Sequence, residues 1–168
     1  RNKLFYFKKV IKVLNQIQKI SDRKIKNFKN KNYTLTKYNR KILVEEANLF
    51  CNWYVKNCLP KERKAFVIKR LKKIIIKLSL SLKLKNDVFV HRDFHVSNLM
   101  LFKNRIGVID SQDALIGNKA YDLASLIDDV RINTSIKLKE KIYNLYIKNH
   151  RNLVLSKFNH DFEVLSVL

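Results

Sequence analysis

Apolar residues recur at three- and four-residue steps from the start of the chain. Leu4, Phe7, Ile11, Leu14 and Ile17 are separated largely by lysines and amides, which predicts an amphipathic helix of about five turns. Residues 21–39, SDRKIKNFKNKNYTLTKYN, lose this period and fill with Lys and Asn, the pattern of a connecting loop. The helical period returns from about Arg40 to Asn57. Ile42, Leu43, Leu49, Phe50, Trp53 and Tyr54 make its expected buried face, and Glu45 and Glu46 its polar side. Pro60 closes that element and opens the next, because proline suits a first helical turn and Glu62 complements the dipole there. The longest helix is expected from Lys61 to about Leu82. Phe66, Val67, Leu71, Ile74, Ile75 and Leu78 line one side of it, and Lys69, Arg70, Lys72, Lys73 and Lys77 form a solvated face.

From Asp87 the period changes. Val88, Phe89 and Val90 form a short β-branched and aromatic run. Leu99–Phe102 and Ile106–Ile109 read as two strands joined at Lys103-Asn104-Arg105, where Asn104 suits a left-handed turn. Gly107 marks a bulge or a close backbone approach, and Ala114–Lys119 reads as a loop around Gly117. Helices resume over Ala120–Arg131 and Ser135 to about His150, with a last apolar stretch near Phe158–Leu168. No internal repeat is visible. At 168 residues, 46% hydrophobic, the chain can bury one core but not two.

Charge complicates this picture without redirecting it. A formal net charge of +22 would ordinarily raise nucleic acid as a partner. The basic residues are mostly Lys, spread through every segment alongside abundant Asn and Ile, as an A+T-rich coding sequence produces. Neither aromatic–basic interleaving nor a helix-turn-helix or zinc-finger pattern is present, which weighs against nucleic acid. No apolar run approaches the roughly 20 residues of a membrane span, so no membrane partner is expected. Cys51 and Cys58 lie two helical turns apart, too far to bridge easily, and free thiols in a reducing cytoplasm are the expectation. The chain opens on Arg1 and stops inside an apolar pattern, which reads as truncation at both ends.

The candidate chemistry lies in Val90–Asp110. His91, Arg92, Asp93 and Asn98 spell H-R-D-x-x-x-x-N, and a short hairpin then leads to Asp110. Phosphoryl transfer needs magnesium beside the phosphates, oxygen ligands to place it, and a carboxylate to orient the attacking hydroxyl. Asp93 offers a carboxylate just after a strand, Asn98 a carbonyl oxygen without further negative charge, and Asp110 a second ligand. Two other readings of the same residues stay open. Asp93, Asn98 and Asp110 are also ordinary turn residues, and His91, Asp93 and His95 could chelate a metal, although zinc normally takes a fuller set.

The stretches VHRDFHVSNLM, IGVIDSQDALIG and AYDLASLIDD resemble the aminoglycoside phosphotransferase and choline kinase superfamily. Within it they are most similar to bacterial anomeric amino-sugar kinases acting on N-acetylmuramate and N-acetylglucosamine. The upstream YNRKILVEEANLFCNWYV is similar to the substrate-side helices of those enzymes. The resemblance implies an α+β fold over residues 1–168: a protein-kinase-like C-terminal lobe, mainly helical, with a small β-hairpin carrying the catalytic loop. It implies Asp93 as catalytic base, Asn98 and Asp110 as magnesium ligands, and His91, Arg92, His95 and Asp122 as support for the loop. ATP and Mg2+ are then the expected cofactors, with a nucleotide and a small-molecule substrate as partners.

Departures from the pattern sharpen the reading. Asp110 is followed by Ser111-Gln112-Asp113 and no A-P-E occurs, which argues against a protein kinase. No glycine precedes Gly107, so the Gly-rich loop and strand lysine of a nucleotide-covering N-terminal lobe are expected elsewhere in the same protein, and the lobe alone is expected to be inactive. The implied function is transfer of the ATP γ-phosphate to an amino-sugar hydroxyl in cell-wall recycling. An aminoglycoside or choline-type kinase and a non-catalytic kinase-like binding module are the alternatives. A basic chain suits cationic aminoglycosides poorly and anionic N-acetylmuramate better.

Overall fold

The opening amphipathic period folds as helix α1 (Lys3–Ile17), which buries Phe7, Val10, Ile11 and Leu14. The computed structural model describes residues 3–26 and 29–168. The expected loop after α1 instead holds a small antiparallel hairpin, β1 (Lys24–Lys26) with β2 (Asn32–Thr34). Its second strand is exposed throughout, so backbone pairing rather than burial makes it, and no alternation marks it in the sequence. Positions 27 and 28 of that segment lie outside the described residues.

Helix α2 (Arg40–Leu49) is capped by Asn39, whose side chain accepts a hydrogen bond from the Ile42 amide at 3.0 Å. The expected helix to Asn57 does not continue as an α-helix. Residues Phe50–Val55 form a π-helical turn, followed by the short α3 (Lys56–Cys58). The wider turn rotates the sequence out of its 3.6-residue register. Cys51 and Val55 turn inward, while Leu49, Phe50, Trp53 and Tyr54, expected on the buried face, are half-exposed or more. Cys51 is thus buried and Cys58 exposed, both as free thiols. The long α4 (Lys61–Ser81) buries only Ile75 and Ser79, and Phe66 and Ile74 of its expected apolar side face water. No helix among the described residues is long and apolar enough to cross a membrane.

The next segment contributes four strands: β3 (Asn86–Val90), β4 (Leu99–Phe102), β5 (Arg105–Val108) and β6 (Leu115–Asn118). β4 and β5 form a regular hairpin, with Leu99 opposite Val108 and Phe102 opposite Arg105. Lys103 and Asn104 both take positive φ, 42° and 65°, as the tightest two-residue hairpin turn demands. β6 corrects the expected loop at Ala114–Lys119: it pairs antiparallel with β3, while residues 36–38 bond its other edge. Because β6 is buried along its whole length, it lacks the polar–apolar alternation that betrays a strand.

The two glycines exchange expected roles. Gly107 sits in an unbroken register with open space, since an added Cβ would meet nothing nearer than the Met100 carbonyl at 3.9 Å. The close approach is at Gly117, where a Cβ would fall 2.9 Å from Val90 Cγ2 and 3.3 Å from Tyr38 Cβ. Gly117→Ala is therefore expected to cost about 1–3 kcal/mol in urea denaturation, the usual penalty of overpacking. Gly107→Ala should fall within about 1 kcal/mol of the parent.

Three further helices complete the chain: α5 (Tyr121–Ile127), α6 (Ile136–Lys148) and α7 (Leu155–Val167). The main core joins Phe7, Ile11 and Leu14 of α1 to Leu123 and Leu126 of α5, Ile142 and Tyr146 of α6, and Phe158 of α7. Each such side chain contributes roughly 1.5–3 kcal/mol by leaving water. Asp161 of α7, fully buried, accepts from the Lys83 and Leu84 amides, each at 2.8 Å, and from Asn118 Nδ2 at 2.7 Å. That carboxylate ties the approach to β3 to the end of β6. The site segment, residues 91–98, thus leaves a strand pair fixed at both ends.

Candidate active site

The segment between β3 and β4 is held mainly by its backbone. Asp122, completely buried in the first turn of α5, accepts from the His91 amide at 2.8 Å and the Arg92 amide at 3.1 Å. Asp129, just beyond α5, accepts from the Val96 amide at 3.0 Å and from the Arg131 amide at 2.9 Å. Phe94, also completely buried, anchors the middle of the loop in the core. Inside the loop, His95 N and Asn98 Nδ2 both donate to the Asp93 carbonyl at 3.0 Å. The Ile109 amide donates to the Asn98 carbonyl at 3.1 Å, which brings the end of the hairpin back against the loop.

His91 makes the same connection from the side-chain direction. Its Nε2 lies 3.0 Å from the Ile109 carbonyl, and because a carbonyl only accepts, the ring proton sits on Nε2. Burial lowers the His91 pKa; the Ile109 carbonyl and the charges of Asp93 and Asp110 oppose this, and His95 adds to it. Both carboxylates thus act on one imidazole from their separate strand ends.

The Asp93 side chain is about half exposed, and its nearest ionic neighbour is His95 Nε2 at 3.9 Å. Asp110 is exposed, adopts a positive φ of 70°, and makes no ion pair or side-chain hydrogen bond among the described residues. Asn98 spends its nitrogen on the Asp93 carbonyl, which leaves Oδ1 as the uncommitted end of the amide. Three oxygen donors that accept no protein hydrogen bond are a donor set that suits a hard cation such as magnesium. The chelating trio of His91, Asp93 and His95 is not assembled: His91 Nε2 is committed to Ile109. No three His, Cys, Asp or Glu side chains among the described residues group to hold a metal.

Arg92 turns away from this edge, toward α2. Its guanidinium pairs with Glu46, donates to the Asp113 carbonyl at 3.2 Å, and lies 5.9 Å from the centre of the Tyr38 ring. Glu46 also accepts from the Tyr38 hydroxyl. Burial, with Tyr121 adding to it, pushes the Tyr38 phenol far up, so it remains a neutral donor. Beneath this clamp a cavity of about 200 Å3 is bounded by Tyr38, Glu46, Tyr121, Ser125 and Asp128.

Sequence reasoning missed Glu46, Asp129 and Tyr38. Glu46 left a legible trace, since it falls three and four residues after Leu43 and Ile42 and so interrupts the apolar stripe. Asp129 follows a helix end in an irregular segment and left none.

A family model described as the phosphotransferase enzyme family matches residues 6–153, which includes the loop, the hairpin and the helices that brace them. The chain belongs to this family. Among curated relatives, the N-acetylmuramate/N-acetylglucosamine kinase of Neisseria meningitidis serogroup B is 41% identical over 98 residues, 58% of this chain and 29% of that protein. The Pseudomonas aeruginosa protein of the same name is 37% identical over 99 residues, 59% of this chain and 29% of its own length. That of Caulobacter vibrioides is 30% identical over 86 residues, 48% of this chain and 24% of its own length. The chain therefore spans under a third of the length of these relatives.

Proposed function

We propose that the full-length protein is an ATP- and magnesium-dependent kinase that phosphorylates a hydroxyl of an amino sugar, N-acetylmuramate or N-acetylglucosamine. The observation that carries this reading is the arrangement of Asp93, Asn98 and Asp110. Their side-chain oxygens accept no protein hydrogen bond among the described residues. Asp93 and Asn98 stand on a loop whose backbone is fixed by Asp122 and Asp129, and Asp110 follows Ile109, whose carbonyl His91 holds against that loop. A site that must hold a cation and a proton spends its structural bonds on the backbone and keeps its side chains free. The names of the relatives supply the acceptor class.

In this mechanism Asp93 accepts a hydrogen bond from the acceptor hydroxyl, orients it in line with the transferred phosphoryl group, and receives its proton. Asn98 and Asp110 would hold magnesium, which when bound neutralises phosphate charge. The Asn98 amide does so without adding a second anion next to Asp93. His91 fixes the spacing between the loop and Asp110 through Ile109, and burial lowers its pKa. His95 flanks Asp93 as a polar neighbour. The cavity bounded by Tyr38, Glu46, Tyr121 and Asp128 offers the hydroxyl and carboxylate partners that a sugar takes.

Purified full-length protein should turn over ATP with stimulation by N-acetylmuramate or N-acetylglucosamine, measured as sugar phosphate formed per ADP released. Stimulation by an aminoglycoside or choline alone would reassign the acceptor. No stimulation by any of these would remove the kinase reading and leave a kinase-like binding module.

A further inference from the structure

Away from the catalytic loop, a cleft of about 510 Å3 is lined by Lys8, Lys12, Asn15, Lys19, Lys119 and His150 together with neutral amides, and by no acidic side chain. The lysines come from α1, from its end and from the junction of β6 with α5. These four lysines, brought from three places in the chain, line one volume. Among the described residues none of the four ammonium groups is hydrogen-bonded or ion-paired.

The surrounding electrostatics agree. Burial lowers the His150 pKa; the Tyr146 carbonyl opposes this, and the charges of Lys119 and Lys19 add to the lowering. Lys119 is itself lowered by burial, with Asp87 pulling the other way.

The simplest alternative is that these lysines neutralise the carbonyl ends of α1 and α6. Those ends already have other donors. The Leu14, Gln16 and Ile17 carbonyls accept from the amides of Gln18, Lys19 and Ile20 at 3.0, 3.1 and 3.0 Å. The Tyr146 carbonyl accepts from the Asn149 amide and faces His150 Nδ1, and the Ile147 carbonyl accepts from the His150 amide. The floor is also built: buried Gln18 donates to the Lys119 carbonyl at 3.0 Å and accepts from the Tyr146 hydroxyl at 2.6 Å. Asn15 Oδ1 is buried there with no donor.

We propose that this cleft binds a small phosphate-bearing polyanion, of the sugar-phosphate or diphosphate kind, at a place separate from the catalytic loop. Clustered phosphate charge would satisfy the lysines that line the cleft, and Asn15 would take a hydroxyl or N–H of the ligand. The concave form and the volume fit a compact ligand rather than the backbone of a nucleic acid.

The test is calorimetric titration of the full-length protein with inorganic pyrophosphate and, separately, glucose 6-phosphate, without magnesium or nucleotide and at physiological ionic strength. At least one should bind at a single site; which one does distinguishes the diphosphate from the sugar phosphate. Lys12→Gln/Lys119→Gln should weaken that binding about tenfold or more, the order expected for lost charge-assisted bonds. Lys72→Gln/Lys73→Gln, the same charge loss on α4, should leave it unchanged, and Lys12→Arg/Lys119→Arg should retain it. Three results would overturn the proposal: no binding of either probe at millimolar concentration, equal weakening by both glutamine pairs, or displacement of the probe by an oligonucleotide that depends on the same lysines.

Discussion

Asp93→Ala in the full-length protein is expected to lower kcat for sugar phosphorylation by about a thousandfold, within the range general-base removal gives. The thermal midpoint should stay within about 2 °C of the parent, because a half-exposed carboxylate that accepts no hydrogen bond makes little stabilising contact. The asymmetry follows from how the residue is used. Its carbonyl holds Asn98 and His95 and survives the substitution, while its carboxylate accepts no hydrogen bond and has His95, at 3.9 Å, as its ionic neighbour. Initial rates of sugar phosphate formation, with a melting curve on the same preparation, check both halves. A variant that keeps a tenth or more of the parent kcat would remove Asp93 from the role of base.

Asp122→Ala should give the opposite pattern, a loss of stability first. It leaves the His91 and Arg92 amides without acceptors in a buried setting, at a cost of roughly 2–6 kcal/mol for two orphaned donors. Urea denaturation measures this directly. The pH dependence has a defined sign. Burial, with a smaller push from Asp93, raises the Asp122 pKa to about 7 against the lowering effect of the two amides. The folded pKa exceeds the unfolded one, so the stability this protonation contributes is full below about pH 4 and is lost as pH rises toward 7. Asp122→Asn is neutral throughout. The stability of the parent relative to that variant should therefore decline between about pH 4 and 7 and be flat above. A difference that grew with pH would show that the fold prefers the ionised carboxylate.

The same two residues mark what a sequence can disclose. Asp93 belongs to a spaced motif whose residue types follow from the proposed reaction, and it could be singled out as a candidate before any fold was known. Asp122 was reached through resemblance alone, since a carboxylate in the first turn of a helix has an ordinary dipole explanation. α1 and the β4–β5 hairpin were legible because burial period and turn chemistry agree there. β6 was not, because a strand covered on both edges and faces carries no alternation. The π-helical turn was hidden for a related reason: one residue's worth of extra turn redirects every later side chain, and no residue type announces it. The Arg92–Glu46 pair joins positions 46 residues apart, a distance over which periodicity has nothing to say.

Arg92 holds φ at 74°, where a side chain crowds its own backbone at a cost of roughly 1–2 kcal/mol. Glycine would sit there at ease. Yet only a long guanidinium reaches Glu46 on α2 and the Asp113 carbonyl beyond β5 from this point. Comfort of the peptide and reach of the side chain are opposed in the residue just before Asp93, so drift toward glycine would relax the chain and unfasten α2 in a single step. A tense joint at that place is the condition for a firm one.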